Sequence, residues 1–315
     1  MAYAFVFPGQ GSQFIGMGKD LAETYPQARE AFQEVDDTLS QKLSTMMFTG
    51  DEADLNLTEN TQPALMAVSM AVIRVLKNQA GLKLDEVCKF VAGHSLGEYS
   101  ALCASEAISL ADTARLLKLR GQSMQQAVPV GIGSMAAILG LEYDAVVKIA
   151  QDAAQEQVCT AANDNSVGQV VISGHKEAVE RAVAMANAQG ARKAVTLPVS
   201  APFHCALMEP AADTMRATLA ETVFNPPLVP VVANSTAQAE HDPEVFKSLL
   251  VEQITGPVRW RESVLYMTSN GISDMVEIGA GKVLCGLARR IERSITTQNV
   301  GTPADIDALI EKLGL

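Results

Sequence analysis

Apolar runs and helical patterns alternate along most of the chain and predict its secondary structure. The run YAFVF at 3–7 is apolar throughout and breaks at Pro8-Gly9, which indicates a buried strand. Helical patterns follow over 18–36 and over 62–78. The run VCKFVAGHS at 87–95 has an uninterrupted apolar stretch, typical of a strand buried on both faces. Strands that alternate with helices predict an α/β fold with a mostly parallel sheet.

Two of the predicted helices carry start signals. Thr61 stands two residues before Pro63, and because proline is favoured in the first turn of a helix, we expect a helix to begin there. Ser109 and Asp112 form an S-x-x-D capping signal. That signal predicts a helix over 109–126.

A compact inserted unit is predicted between Pro129 and Pro198. Strand and helix patterns follow one another there in the order βαββαβ, the order of a ferredoxin-like unit. We therefore divide the chain into an α/β core over 1–128 and 200–315 and a ferredoxin-like insertion over 129–199. After the insertion the core is expected to continue with a helix, the strand LVPVVANS, another helix, the strand DMVEIGA and a final helix.

Composition and charge argue against several classes of protein. The 315 residues, 48% of them hydrophobic, can bury a large core, and the net charge of −12 argues against nucleic acid or an anionic membrane as the main partner. The five cysteines contain no CxxC pair, so neither zinc nor a disulfide framework is indicated. The start MAYAFVFPGQ lacks the features of a signal peptide, and the longest apolar stretch is interrupted at Arg74. We expect a soluble cytoplasmic protein.

The segment GHSLG at 93–97 holds the first candidate for chemistry. It matches G-x-S-x-G, a sharp strand-to-helix turn that exposes a serine hydroxyl at the edge of a sheet. A buried strand precedes it and a helical pattern follows, which is the context that this motif requires. The turn would also aim backbone N–H groups, including that of Leu96, at developing negative charge. Ser95 is therefore a candidate nucleophile, and the alternative is a helix N-cap serine in a glycine-rich turn.

A nucleophilic serine needs a base, because its hydroxyl is barely ionised at neutral pH. The chain has four histidines. The turn should point His94 away from Ser95, His175 ends a strand of the insertion, and His241 lies in a polar loop. His204 remains, where the core resumes, and both a catalytic and a structural role stay open for it. No acidic residue stands out as a third member, so a Ser-His dyad is expected.

Arg120 lies on an otherwise apolar face of the predicted helix over 109–126. A buried guanidinium needs an anion or a route to solvent. Composition alone favours a side chain that reaches the surface, or a structural ion pair. A substrate carboxylate is the alternative, and it would also explain why Arg120 follows the nucleophile by one helix.

Two nucleotide-binding interpretations fail on spacing. The first strand is followed by Gly9 and Gly11, but the third glycine of a dinucleotide loop should stand where Phe14 does. The segment GAGKVL has valine at 283, where a P-loop needs serine or threonine, and valine rather than glycine at 276.

Seven segments together resemble the malonyl-CoA:acyl carrier protein transacylases, the malonyltransferases of fatty acid synthesis, in the order that this family has them. They are FPGQGSQ (7–13), TQPAL (61–65), GHSLGEYSA (93–101), RG (120–121), AANDNS (161–166), SAPFHCALM (200–208) and EIGAGKVL (277–284). The resemblance implies an α/β-hydrolase-like core with a ferredoxin-like insertion. One departure is GAGKVL, where many members have GPGKVL.

The resemblance implies a role for each catalytic residue. Ser95 would attack the thioester carbonyl of malonyl-CoA, and His204 would take its proton. The backbone N–H groups of Gln10 and Leu96 would form the oxyanion hole. The backbone carbonyl of Gln253 would orient His204, as an aspartate does in hydrolases. The reaction would be ping-pong, through a malonyl-serine, and needs no metal or other cofactor.

The resemblance also implies how the substrate is held. Arg120 would grip the free carboxylate of the malonyl group, and Gln62, Met124 and Asn163 would line the pocket. Phe203 matches the bulky residue of malonyl-selective members, whereas methylmalonyl-selective relatives tend to have a small one.

The implied second substrate is acyl carrier protein. Carrier proteins of this kind are strongly acidic, so we expect a local basic patch on this acidic chain. The candidates are Arg192, Lys193, Lys282, Arg289, Arg290 and Arg293. An ordinary solvated charged face is the alternative for each group, and a monomer is expected.

Three other functions stay open. A serine hydrolase or thioesterase would share the turn, but its order should be Ser, then Asp or Glu, then His near the C-terminus. The product could serve polyketide rather than fatty acid synthesis. A non-catalytic interaction protein would have no reason to combine Ser95, His204 and Arg120.

Overall fold

The computed structural model describes residues 3–199 and 201–315. Met1, Ala2 and Ser200, which fall within the predicted core, lie outside the described residues. The core before the inserted unit contains β1 (Tyr3–Phe7), α1 (Lys19–Thr24), α2 (Pro26–Leu39), α3 (Leu43–Thr49), α4 (Glu52–Leu55), α5 (Thr58–Ala80), α6 (Leu84–Val87), β2 (Cys88–Gly93), α7 (Leu96–Ala104) and α8 (Leu110–Gln126).

The inserted unit and the rest of the core complete the fold. The unit contains β3 (Gly133–Leu139), α9 (Tyr143–Ala154), β4 (Cys159–Ser166), β5 (Gln169–His175), α10 (Lys176–Ala188) and β6 (Lys193–Thr196). The core then continues with a 3-10 turn (Ala206–Met208), α11 (Glu209–Glu221), β7 (Val231–Val232), β8 (Ala239–Glu240), α12 (Pro243–Thr255), α13 (Trp260–Ser269), β9 (Asp274–Ile278), α14 (Val283–Ile291), β10 (Thr296–Val300) and α15 (Pro303–Leu313).

The core sheet has the strand order β10-β9-β1-β2-β7-β8 and is parallel except for the β7–β8 pair. Strand β1 is buried on both faces, as its unbroken apolar sequence predicts. Phe5 and Phe7 pack into the larger apolar cluster, whereas Ala4 and Val6 pack into a second cluster. This confirms the predicted α/β class with a mostly parallel sheet.

The inserted unit forms a separate antiparallel sheet with the order β4-β5-β3-β6. Its βαββαβ order and this strand order are those of a ferredoxin-like unit. Its two helices pack on one apolar cluster of their own, which includes Ile138, Ile149 and Ile172. The domain limits of 129–199 for the insertion stay a prediction.

Strand β4 joins the unit to the core. Val258 of the core donates its N–H to the carbonyl of Ala162 at 2.8 Å, and its own carbonyl accepts from the N–H of Asp164 at 3.0 Å. The buried carboxylate of Asp164 accepts from Arg261 Nε at 2.9 and 3.0 Å and lies 2.8 Å from its Nη2. These contacts fix the unit to the core, and a further contact of β4, between Asn165 Oδ1 and His94 Nε2, places it beside the carboxyl end of β2.

Two predicted helices differ from the structure. The prediction of a helix start at Thr61 is wrong, because α5 begins at Thr58 and contains Pro63; the Thr61 hydroxyl donates to the carbonyls of Leu55 and Leu57 instead of capping the helix. The single helix predicted over 18–36 is two helices, because Tyr25 before Pro26 is extended and Pro26 starts α2.

The last part of the core contains more elements than the sequence patterns predict. Strand β7 covers only two residues of LVPVVANS, and α14, β10 and α15 follow β9 where a single final helix was expected. Helix α8, in contrast, begins where its capping signal predicts, since Ser109 Oγ accepts from the N–H of Asp112 at 3.0 Å.

Candidate active site

Ser95 lies at the carboxyl edge of the core sheet, in the turn between β2 and α7. Its backbone angles, φ 54° and ψ −110°, lie outside the regions that most residues adopt. The turn is tight: a Cβ on Gly93 would lie 1.9 Å from the carbonyl of Gly97, and a Cβ on Gly97 would lie 2.2 Å from the carbonyl oxygen of Phe7. Only glycine fits at both positions, so these residues force the serine outward.

Ser95 and His204 form the predicted pair. Ser95 Oγ lies 2.8 Å from His204 Nε2, and His204 Nδ1 lies 2.7 Å from the backbone carbonyl oxygen of Gln253. A carbonyl oxygen can only accept a hydrogen bond, so Nδ1 carries the proton and Nε2 is the acceptor. The unprotonated nitrogen therefore faces the serine hydroxyl, which is the geometry of a general base and its nucleophile.

The surroundings of His204 keep its imidazole neutral. The side chain is buried, and this burial, with the positive charge of Arg120 as the second cause, lowers the pKa of His204 to about 3. A neutral imidazole at pH 7 is able to accept the serine proton.

Arg120 is buried, with 1% of its surface exposed, beside the nucleophile. Its Nη1 donates to Gln62 Oε1 at 2.8 Å, and its Nη2 donates to Gln253 Oε1 at 2.8 Å and to Ser95 Oγ at 3.2 Å. These bonds use three of the five N–H donors of a guanidinium. Among the residues that the structure describes, none forms a hydrogen bond with Nε.

Among the described residues, the positive charge of Arg120 has no carboxylate in direct contact, although the buried carboxyl of Glu98 acts on it from further away. Within the part of the chain that the structure describes, no carboxylate oxygen lies within 4.0 Å of its nitrogens. Burial lowers the pKa of Arg120 from its ordinary value, but a guanidinium still stays charged. The structural ion pair that composition favours is therefore not what holds this arginine.

The side chain of Gln253 links the arginine to the turn, a role that the sequence does not indicate. Its Nε2 donates to the carbonyl of Ser95 at 3.0 Å and to Glu98 Oε2 at 2.7 Å. These two acceptors fix the direction of the amide, so Oε1 must face Arg120. Glu98 is itself buried, and its desolvation raises its pKa to about 7.

A cavity of about 250 Å³ opens in front of Ser95, between the core and the inserted unit. Eight further predicted residues line it: His204, Arg120, Gln10, Leu96, Gln62, Met124, Asn163 and Phe203. Gln253 lies behind this lining. The lining also contains two polar residues of the inserted unit that the sequence patterns do not indicate, Asn165 and Gln169.

His94 points away from the serine hydroxyl, as predicted for this turn. Its Nε2 lies 2.8 Å from Asn165 Oδ1, and its ring packs at a tilt on Trp260 with 5.8 Å between ring centroids. It still lines the cavity, and burial lowers its pKa.

The predicted basic residues are all exposed. None of them has a carboxylate partner within 4.0 Å among the residues that are described: Arg192, Lys193, Lys282, Arg289, Arg290 and Arg293.

Two of the basic residues lie near the cavity. Arg290 Nη1 donates to Gln169 Oε1 at 2.7 Å, and Gln169 is in register with Leu139, which is in register with Lys193 on the next strand. Arg290 and Lys193 therefore flank one edge of the cavity lining. Lys282 lies at the other end of α14, about 12 Å along the helix axis.

Neither a metal cluster nor a membrane span was found in the described ranges. No group of three or more His, Cys, Asp or Glu side chains there could hold a metal ion. No helix among these residues is long and apolar enough to cross a membrane.

Comparison with known proteins places this arrangement among acyltransferases. The profile of the acyl transferase domain matches residues 4–302. The malonyl CoA-acyl carrier protein transacylase of Escherichia coli (strain K12) is 47% identical over 309 residues, which cover 98% of this chain and 99% of that protein. The protein of the same name from Bacillus subtilis (strain 168) is 43% identical over 311 residues, covering 98% of this chain and 96% of that protein.

Solved structures have the same fold. The acyl-carrier-protein-S-malonyltransferase from Bartonella henselae superposes with a TM-score of 0.98, is 56% identical, and each chain covers 100% of the other. A malonyl-transacylase in complex with its type II polyketide synthase acyl-carrier protein superposes with a TM-score of 0.96 at 43% identity, covering 99% of this chain and 100% of that one.

Proposed function

The chain belongs to the acyl transferase domain family, and from this premise we propose that it transfers a malonyl group from malonyl-CoA to the phosphopantetheine thiol of acyl carrier protein. The product supplies extender units for fatty acid synthesis. The proposed intermediate is a malonyl ester of Ser95.

One observation carries the proposal: a buried arginine, with no carboxylate of the described residues in contact, stands beside an activated serine. Arg120 contacts Ser95 Oγ and has spare N–H donors. A substrate with a free carboxylate supplies the missing anion, whereas an acetyl group leaves the buried charge unpaired. The site therefore favours malonyl over acetyl thioesters.

In the first half-reaction, Ser95 Oγ attacks the thioester carbonyl carbon while its proton moves to His204 Nε2. The backbone N–H of Leu96 lies in the first turn of α7, where it has no acceptor within the helix, and with the N–H of Gln10 it stabilises the oxyanion. The C–S bond then breaks, and the departing coenzyme A sulfur takes the proton back from His204.

In the second half-reaction, the carrier thiol gives its proton to His204 and attacks the malonyl ester. The bond to Ser95 Oγ breaks, and the serine oxygen recovers the proton. The backbone carbonyl of Gln253 holds the Nδ1 proton throughout, so His204 always presents Nε2. The proposed steps use no metal or redox cofactor. The phosphopantetheine group belongs to the partner, acyl carrier protein.

The cavity lining supports a small acyl group. Gln62 orients Arg120 through Nη1, and its Nε2 lies 3.8 Å from Met124 Sδ. Phe203 fills part of the space next to His204, where a branched acyl group would need room. Asn163 adds a polar group from the inserted unit.

We also propose that carrier protein docks at the edge of the cavity between the core and the inserted unit. Arg290 and Lys193 flank this edge without a carboxylate partner in the described part of the chain, and an acidic partner would be attracted to their charges. Positive charge continues away from the cavity edge through Arg192, Lys282, Arg289 and Arg293.

The decisive experiment is the intact mass of the protein after brief exposure to malonyl-CoA. We expect a malonyl adduct, no adduct with Ser95→Ala, and little with acetyl-CoA. An equal acetyl adduct would contradict the role of Arg120. Free malonate without an adduct would favour a thioesterase or other hydrolase.

The proposal includes fatty acid synthesis as the pathway, the cytoplasm as the location and a monomer as the assembly. The relative in complex with a polyketide carrier protein makes polyketide synthesis the alternative pathway. All five cysteines are free, as in proteins of a reducing cytoplasm. A monomer stays a prediction.

A further inference from the structure

Asn234 ties together the two sides of the turn that carries Ser95. It follows β7 and is fully buried. Its side-chain Nδ2 donates to the carbonyl of Gly93 at 2.7 Å, and its Oδ1 accepts from the backbone N–H of Ser95, also at 2.7 Å. The amide therefore bridges the residue before His94 and the residue after it.

The backbone of Asn234 is held just as firmly. Its N–H donates to Glu98 Oε2 at 3.0 Å, and its carbonyl accepts from the N–H of Arg259 at 3.2 Å. These bonds fix the residue from α7 on one side and from the start of α13 on the other. The side-chain amide has no freedom to turn away from the serine.

Ser95 needs such support because of its backbone. Residues held in sparsely populated φ/ψ regions persist only where their surroundings over-determine them. If the peptide of Ser95 rotates, Oγ leaves Nε2 of His204, and the N–H of Leu96 changes direction. The two bonds of Asn234 hold the turn up to the N–H of Ser95, and Gln253 Nε2 holds the carbonyl of Ser95 on the side of Leu96, so the nucleophile depends directly on Asn234 and the oxyanion donor depends on it through the same turn.

We propose that Asn234 is a positioning residue for acyl transfer, which acts through Ser95 and touches no substrate. An amide side chain suits this position because its donor and its acceptor are two separate atoms, so that Nδ2 reaches the carbonyl of Gly93 while Oδ1 reaches the N–H of Ser95. The inference rests on the proposed function, because it assigns Asn234 to the acylation of Ser95.

The test compares Asn234→Asp and Asn234→Ser with a matched control, Asn60→Asp. Aspartate keeps the shape and the acceptor for Ser95 but places an oxygen against the carbonyl of Gly93. Serine is neutral and keeps at most one of the two bonds, which covers the case that the aspartate variant does not fold. Asn60 is also a buried asparagine whose Nδ2 donates to a backbone carbonyl, that of Asp54, but it lies on α5.

Rapid-quench kinetics with malonyl-CoA, read by intact mass, gives the acylation rate and KM of each full-length variant. We expect about a 100-fold lower rate in both Asn234 variants, KM changed by less than about threefold, and a rate close to wild type for Asn60→Asp. A merely structural role would lower the thermal midpoint and leave the rate of the folded protein unchanged.

The inference is overturned if both Asn234 variants acylate at the wild-type rate, if only KM changes, or if Asn60→Asp loses as much. Wild-type protein that forms no malonyl adduct would overturn the proposed function itself. An active wild type with active Asn234 variants would overturn this inference alone.

Discussion

Replacing Arg120 with methionine tests the source of acyl selectivity. Methionine keeps much of the length and the apolar character of the side chain but removes the charge and all five donors. The matched control is Arg115→Met on the same helix, where Arg115 is exposed and pairs with Asp112. The control reports any effect of the substitution on α8 itself.

The expected loss follows from the burial of Arg120. Removing one member of a buried ion pair costs about 3–5 kcal/mol, because the remaining charge is left without compensation. At about 1.4 kcal/mol per factor of ten, kcat/KM for acylation by malonyl-CoA should fall by roughly 10² to 10³·⁵. Acetyl-CoA carries no carboxylate, so its kcat/KM should fall far less. Some loss is expected for both substrates, since Nη2 also contacts Ser95 Oγ.

The ratio of the two kcat/KM values is therefore the quantity to measure. Acyl-enzyme formation is followed by intact mass with each thioester, for wild type, Arg120→Met and Arg115→Met. We expect the malonyl-to-acetyl ratio to fall by at least about tenfold in Arg120→Met only. If both thioesters lose the same factor, Arg120 supports the serine and does not select the carboxylate.

Three further results are expected. Because burial and the charge of Arg120 lower the pKa of His204 to about 3, acylation should stay level from about pH 8 to about pH 5; a decline centred on the ordinary histidine pKa near 6.5 in a pH–rate profile would contradict this. Burial raises the pKa of the Glu98 carboxyl from 4.5 to about 7. Between these pH values the folded protein keeps a proton that the unfolded protein has lost, so the free energy of unfolding falls as the pH rises. This loss of stability is complete above pH 7 and absent below pH 4.5. In urea unfolding, the stability of Glu98→Gln relative to wild type should therefore be about 3 kcal/mol higher at pH 8 than at pH 4.5, and an unchanged difference would refute the shift. Arg290→Glu should raise KM for carrier protein by about tenfold and affect acylation by malonyl-CoA far less; steady-state transfer assays would contradict the docking proposal if Arg216→Glu, on α11, had the same effect.

The sequence predicts those parts of the fold that depend on local signals. The unbroken apolar run of β1, the capping signal of α8 and the βαββαβ order of the insertion all reflect local chemistry. Strand β10, TTQNV, was missed because it is a largely polar edge strand, with only Val300 buried. The start of α5 was misplaced because Thr61 and Pro63 resemble a first turn but lie inside the helix.

The residues of the candidate site also divide into those with a local sequence signal and those without one. Ser95 stands in a motif whose spacing has a local mechanical reason, whereas elimination among the four histidines left both roles open for His204 and only the family resemblance implied the catalytic one. Gln253, Glu98 and Asn234 meet only because three distant segments converge below the turn. Glu98 left one signal, a carboxylate on the apolar helix α7; Asn234 left none, because a single asparagine after a short strand is common in loops.

The group that orients His204 is a main-chain atom, the carbonyl oxygen of Gln253, and side-chain substitutions therefore cannot remove it. Every residue carries a backbone carbonyl, so no substitution at 253 deletes the acceptor for His204 Nδ1. A substitution at position 253 changes only the side chain, which contacts Arg120, Glu98 and the carbonyl of Ser95. Variation at 253 will therefore be tolerated or rejected according to how it holds the arginine, while the orientation of the base is protected from mutation by the backbone itself.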